Sequence, residues 1–134
     1  MSPRLAFILA SIAGFTAVAM GAFGAHAVRD RITPELLAVY ETGSRYHLVH
    51  AVAMLAVAVM AGVLGRRKPS VTLAMGCFAG GICVFSGSLY VLALTGERWL
   101  GAVTPIGGVL LLAGWVCVGV TGWRAANRGA VDGR

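Results

Sequence analysis

The chain has 134 residues, of which 58% are hydrophobic and 12% charged, and its formal net charge at neutral pH is +6. This composition excludes an ordinary water-soluble domain and indicates a membrane protein. The length favours one domain, residues 1–134.

Four stretches contain no charged residue, and each has at least the roughly 20 residues that a helix needs to cross a bilayer. Helices also satisfy every backbone polar group within the segment, as lipid requires. We therefore predict an all-α fold, a four-helix transmembrane bundle. The predicted helices cover residues 5–27, 47–65, 71–94 and 104–123.

The first predicted helix carries small residues at alternating steps of four and three, which places them on one face. Helices associate in lipid through close contact between such residues, so we expect this stripe to pack against another helix. Residues 25–27 read Ala-His-Ala and resemble a signal-peptide cleavage site, but the apolar run exceeds the signal core of about 7–15 residues. We therefore expect a retained helix. The stripe consists of Ala10, Gly14, Ala17, Gly21 and Gly24.

Residues 34–45 are too few and too charged to cross the membrane. Thr33 and Pro34 form a typical helix start, a capping hydroxyl followed by proline at the first helical position. Leu36, Leu37 and Tyr40 fall on one face of this segment. We predict a short helix that lies along the periplasmic membrane surface.

The third predicted helix repeats the stepwise pattern of small residues, and we expect it to use this stripe for packing as well. The fourth helix shows a weaker version at Gly107, Gly114 and Thr121 and is predicted to start at Thr104 and Pro105. Gly65 and Gly96 mark the predicted ends of the second and third helices. The cysteines Cys77, Cys83 and Cys117 are interpreted as small buried packing residues. The stripe of the third predicted helix consists of Gly76, Gly80, Cys83 and Gly87.

Positive charge is distributed unequally between the two sides that four crossings would create. Both termini and the 65–70 loop share one side with seven Lys and Arg residues, while the other side has four. The positive-inside rule therefore places both termini, including the basic tail 124–134, in the cytoplasm of a multi-pass protein of the cell inner membrane. The basic side favours anionic lipid headgroups and is a poor argument for nucleic acid. The seven are Arg4, Arg66, Arg67, Lys68, Arg124, Arg128 and Arg134, and the four are Arg29, Arg31, Arg45 and Arg98.

Polar side chains concentrate at the outer ends of the predicted helices. His47 and His50 lie about 60° apart around the helix axis, so both could address one point. With His26 they could form a three-nitrogen metal site, or one of them could carry protons. A structural collar of hydrogen bonds is the remaining interpretation. The cluster consists of His26, Tyr46, His47, His50, Ser86, Ser88, Tyr90 and Thr104.

Three hypotheses of function remain open. The first is a structural or accessory membrane protein that associates with lipid, with a larger complex or with its own copies. The second is a small transporter or channel that uses the outer polar cluster, and the third is a metal-binding membrane protein. No Asp or Glu lies inside a predicted span, and no nucleotide-binding motif or serine–base–acid set is present. We therefore expect neither an enzyme nor a cofactor.

Four motifs of the chain resemble a family known as domain of unknown function 423, small bacterial inner-membrane proteins related to transmembrane protein 256 of animals. The resemblance runs from about residue 5 to 123 and implies four transmembrane helices. It implies no catalytic residue. The motifs are GAFGAHAV at 21–28, YETGSRYHLVHAVAML at 40–55, FSGSLYVLALTG at 85–96 and LGAVTPIGGVLLLAGW at 100–115.

Overall fold

The computed structural model describes residues 1–63 and 69–132, with side chains through residue 127. Four continuous helices are long and apolar enough to cross a membrane, and we refer to them in chain order as spans 1 to 4. They are Pro3–Val28, Pro34–Val63, Pro69–Thr95 and Leu100–Asn127. The predicted all-α architecture with four spans is confirmed, and no strand occurs in the described ranges.

Spans 1 and 3 each contain a π-helical segment in which the helix widens by one residue. Span 1 consists of helix α1, Pro3–Phe23, and the π-helical segment Gly24–Val28. Span 2 is helix α2, Pro34–Val63. Span 3 consists of α3, Pro69–Gly81, the π-helical segment Ile82–Ser86, and α4, Gly87–Thr95. Span 4 belongs to α5, Leu100–Asp132.

Local sequence signals account for several of the helix ends. The Ser2 hydroxyl accepts a hydrogen bond from the Leu5 amide, and Pro3 occupies the first turn. The Thr33 hydroxyl accepts from the Leu36 amide at 3.4 Å, so Thr33 caps α2 as predicted. Gly96 ends α4 in the left-handed conformation, at φ 77°, which glycine adopts without a steric penalty. Gly65 lies outside the described residues.

The predicted separate surface helix at residues 34–45 is wrong. These residues form the beginning of α2, which runs without a break to Val63 and measures about 45 Å. Tyr40 is fully buried, and its ring lies 4.9 Å from that of Tyr90 in α4. The segment therefore turns its apolar face to the bundle, because the neighbouring parts of spans 1 and 3 supply a surface for it.

The fourth helix begins one turn earlier than predicted, at Leu100. Backbone amides of its first turn donate hydrogen bonds to carbonyls of the preceding loop, and the Gly101 N–H lies 3.0 Å from the Arg98 carbonyl oxygen. The helix therefore begins before Pro105. Pro105 then lies inside α5 and removes one helical hydrogen bond. The helix also continues through most of the predicted tail, to Asp132.

The four spans are arranged approximately in a row. Span 1 packs chiefly on span 2, span 2 on span 3, and span 3 on span 4. The core between them is rich in alanine, with Met54, Met75 and Phe78 as its large buried members. Because spans 1 and 4 occupy the edges of the row, grooves remain beside the two central spans.

Only part of the first small-residue stripe lies in a helix contact. Ala10, Ala17 and Gly24 are buried, and a methyl group added at Gly24 would overlap the Tyr40 ring. Gly21 lies close to the Ser44 hydroxyl, whereas Gly14 borders open space. The predicted packing stripe is therefore partly correct.

The small-residue stripe predicted for the third helix, in span 3, does not lie in a helix contact. Gly76 and Gly87 have no neighbour within 4 Å of an added methyl group, Gly80 meets only the tip of Leu110, and Cys83 is exposed. Span 3 instead makes its close contacts at glycines of α5. A methyl group added at Gly107 would overlap the backbone of Phe85, and one added at Gly114 would overlap the Phe78 ring.

Candidate functional site

A layer of hydrogen-bonded polar side chains crosses the bundle, and the central helix α2 contributes both of its histidines. His47 is 6% exposed and His50 is 5% exposed. Buried polar groups in an apolar surrounding need hydrogen-bond partners. The partners of these two rings determine what the layer can do chemically.

His47 lies between spans 1 and 3. Its Nε2 is 3.3 Å from the Thr16 hydroxyl, and its Nδ1 is 3.4 Å from the Tyr90 hydroxyl. The Thr16 hydroxyl also lies 2.8 Å from the Ile12 carbonyl, to which it donates its proton. Both ring nitrogens of His47 thus face hydroxyl groups, which can donate or accept a hydrogen bond.

His50 faces spans 3 and 4. Its Nδ1 lies 2.7 Å from the Tyr46 carbonyl oxygen, which can only accept, so this nitrogen carries the proton. The indole N–H of Trp115 donates to Nε2 at 3.2 Å. Both ring nitrogens are thus occupied in the neutral Nδ1–H tautomer, and the ring packs against Phe78 with 5.6 Å between centroids.

The two α2 histidines do not address one point, as a shared metal site would require. Both residues lie on the buried side of α2. The His47 ring faces spans 1 and 3, whereas the His50 ring faces spans 3 and 4. His26 is exposed in the π-helical segment of span 1. Among the described residues, no group of three His, Cys, Asp or Glu side chains could hold a metal ion.

The serine and threonine members of the predicted cluster link spans 3 and 4. The hydroxyls of Ser88 and Thr104 lie 2.8 Å apart, and Ser88 also bonds the Phe85 carbonyl at 3.0 Å. Thr104 therefore faces span 3 and does not cap its helix. Ser86 is 1% exposed, and its hydroxyl has no hydrogen-bond partner among the described residues.

Three residues of this layer were not predicted from the sequence: Thr16, Tyr40 and Trp115. Tyr40 donates to the Met20 carbonyl at 2.7 Å and so fastens span 2 to span 1. The position of Trp115 held a usable signal, because an indole N–H in the middle of an apolar helix requires an acceptor on a neighbouring helix.

Two apolar grooves flank the polar layer. The larger, which we name the α2–α5 groove, encloses about 570 Å³ and is lined by residues including Arg45, Tyr46, His50, Phe85, Gly108 and Trp115. The smaller lies between span 1 and span 3 and encloses about 380 Å³, with Thr16, His47, Cys83 and Tyr90 in its lining. Both volumes fall within the range of about 300–1,000 Å³ typical of small-molecule sites.

Residues 20–108 match the family model described as "Protein of unknown function (DUF423)". The chain belongs to this family. The predicted resemblance is confirmed, and the matched residues include both buried histidines of α2. Thr16 and Trp115, which bond to these histidines, lie outside the matched range.

Curated relatives of this DUF423 protein are named as membrane proteins. The UPF0382 membrane protein YwdK of Bacillus subtilis (strain 168) is 41% identical over 115 residues, covering 86% of this chain and 93% of the relative. The UPF0382 inner membrane protein YgdD of Escherichia coli (strain K12) is 39% identical over 135 residues, covering 96% and 97%. No solved structure matches. The chain is thus a membrane protein of an uncharacterised family.

Proposed function

We propose that this protein is a non-enzymatic accessory protein of the cytoplasmic membrane. It associates with lipid and with a larger membrane complex or further copies of itself, and its polar layer fastens the four spans together. The observation that carries the proposal is that both buried histidines have both ring nitrogens engaged. A metal ligand needs an available nitrogen lone pair, whereas the lone pair of His50 Nε2 already accepts a hydrogen bond from the Trp115 indole.

Four hydrogen bonds of the layer support a structural role because each of them joins two different spans. Polar bonds of this kind hold helices together in lipid, where hydrophobic attraction between helices is absent. Together these four bonds connect all four spans. Thr16 with His47 joins spans 1 and 2, His47 with Tyr90 spans 2 and 3, His50 with Trp115 spans 2 and 4, and Ser88 with Thr104 spans 3 and 4.

The proposed location is the inner membrane, with both termini in the cytoplasm. The excess of Lys and Arg on the side of the termini supports this orientation. The bond between the Thr121 and Ser70 hydroxyls, 2.7 Å, is consistent with α5 ending beside the start of α3. The printed name of the Escherichia coli relative also describes an inner membrane protein.

The proposal is tested with His47→Phe and His50→Phe, which keep an aromatic ring and remove the bonding nitrogens. We expect each to lower the free energy of unfolding in detergent by about 0.6–2 kcal/mol, because interhelical bonds are lost and their partners are left unpaired. His26→Phe, at an exposed position of span 1, is the matched control and should leave stability unchanged.

Purification of the tagged protein from native membranes tests the accessory role itself. We expect a stoichiometric membrane partner, or a homo-oligomer, whose assembly weakens in the two histidine variants. The competing transport hypothesis gives a different pattern. Variants as stable as the wild type that lose proton or metal flux in proteoliposomes would contradict the proposal.

A further inference from the structure

We propose that the α2–α5 groove binds an acyl chain of an anionic phospholipid whose phosphate is held by Arg45. This inference deepens the proposed accessory function by naming the class of lipid. It rests on that function only in taking the protein to work inside a bilayer.

The walls of the groove suit a hydrocarbon chain. The two helices meet across the groove through the bond between His50 and Trp115, and a trough remains beside it. Gly108 contributes no side chain to the wall, and a methyl group added there would still lie 3.8 Å from the Phe85 ring. Val109 and Leu112, which also line the groove, are exposed to the surrounding lipid. An acyl chain can therefore enter sideways.

One end of the groove carries the charge that a lipid headgroup needs. Of the described residues that line it, Arg45 alone is charged, and its side chain is exposed. Residues 46–65, which follow it directly, contain no charge, so Arg45 lies at the boundary between headgroups and hydrocarbon. An arginine stem lies along apolar surface while its guanidinium reaches the interface, where its planar donor set can bind a phosphate through two hydrogen bonds.

The charge distribution favours an anionic lipid over a zwitterionic one. A zwitterionic headgroup carries an ammonium group that requires a negative partner, and no carboxylate is among the described residues lining the groove. Glu41, one helical turn before Arg45, lines a different cavity, beside Gly24 and Arg29. A phosphatidylglycerol-type headgroup has no cation to accommodate and is the better match.

Native mass spectrometry of the full chain, released from nanodiscs of equal phosphatidylglycerol and phosphatidylcholine, measures the preference directly. We expect retained lipid to be mainly phosphatidylglycerol at one molecule per chain. Arg45→Gln should reduce the ratio of anionic to zwitterionic adducts about fivefold, the contribution of one arginine near anionic lipid. Arg98→Gln is the matched control, because Arg98 is also exposed at the outer end and does not line the groove.

A second pair of variants tests the groove itself. Gly108→Leu fills the trough and should remove retained lipid of both classes, whereas Gly119→Leu, on an open face of the same helix, should retain it. Lipid preference that survives Arg45→Gln, or retention that survives Gly108→Leu in folded protein, would overturn the proposal. A second copy or another protein's helix crosslinked into the groove would overturn it equally.

The two proposals fail separately. The accessory function is judged by the histidine variants and by native partners, while the lipid site is judged by adduct composition in purified protein. A transporter with an annular anionic lipid would contradict the first and leave the second standing.

Discussion

His50 illustrates how neighbouring groups fix the protonation of one buried ring. The Tyr46 carbonyl can only accept a hydrogen bond and the Trp115 indole can only donate one, so the imidazole has one proton and one lone pair in assigned places. A second ring proton would point at the indole N–H. His47 instead faces two hydroxyl groups, those of Thr16 and Tyr90, so the two histidines of one helix complement different neighbours.

Trp115→Phe tests this arrangement. It removes the donor to His50 Nε2 but keeps an aromatic ring near Phe78, whose centroid lies 5.4 Å from that of Trp115. We expect a loss of about 0.6–2 kcal/mol in the free energy of unfolding. In the double variant with His50→Phe the losses should be less than additive, because both remove one bond.

The control is Trp123→Phe, since Trp123 is exposed and lies in the same helix. Its unfolding in a detergent titration should match the wild type. Equal losses for the two tryptophan variants, or strictly additive losses in the double variant, would refute the assignment of the hydrogen bond.

Sequence reasoning placed His47 and His50 three residues apart on one helix but could not predict which neighbours each ring would face. Position along a helix gives depth directly, whereas direction depends on which helices flank α2. That information lies in contacts between distant parts of the chain, such as the 65 residues that separate His50 from Trp115. His26 falls outside the layer because it lies ten residues beyond Thr16, the span 1 residue that bonds His47, which is about 15 Å along the helix.

At the scale of the helix, each close contact between span 3 and α5 involves a glycine. The Phe78 ring lies over Gly114 and the Leu111 side chain over Gly81, while the backbone of Phe85 approaches Gly107. The sequence pattern identified small residues on both helices but assumed that small residues face one another. On span 3 the buried face is the large one, with Met75 and Phe78, so its row of small residues faces outward.

The π-helical segment Ile82–Ser86 is a second reason why the stripe of span 3 was wrong. A π-helical segment inserts one extra residue, so a stepwise pattern counted across it leaves its face. Gly76 precedes this segment in the chain and Gly87 follows it. No residue type in the sequence predicts such an insertion reliably.

Gly107→Ala should destabilise the protein strongly. The added methyl group would overlap the backbone of Phe85, which cannot move aside as a flexible side chain could. We expect a loss of about 1–3 kcal/mol, the usual cost of overpacking, visible as a lower melting temperature in detergent. Gly76→Ala adds the same methyl group in open space and should be neutral or slightly stabilising, since alanine favours helix. Similar melting temperatures for the two variants would contradict this packing.

At the scale of the whole molecule, hydropathy was sufficient for the four spans because lipid imposes the length and apolar character of each helix. The order of the spans in a row, and the grooves beside it, depend on side-chain fit and could not be predicted. The continuity of residues 34–45 with α2 was missed for a related reason. Charge at Glu35, Glu41 and Arg45 indicated contact with water, while the buried Tyr40 fastens the same segment to the bundle.

The proposed orientation predicts where reporters function. Green fluorescent protein fused after Arg134 should fluoresce, and alkaline phosphatase fused there should be inactive, because the basic end of the bundle stays in the cytoplasm. Phosphatase inserted after Gly96, between spans 3 and 4, should be active. The reverse pattern at these two positions would invert the orientation and move Arg45 to the inner leaflet.

Helix α5 is about 50 Å long, at 33 residues, whereas the hydrocarbon layer is about 30 Å thick. Its final turns therefore project past the lipid as a stiff rod. A helical scaffold spliced in phase after Asn127 would rotate with the bundle as one body. Single-particle images of this small protein could then be aligned on that external fiducial.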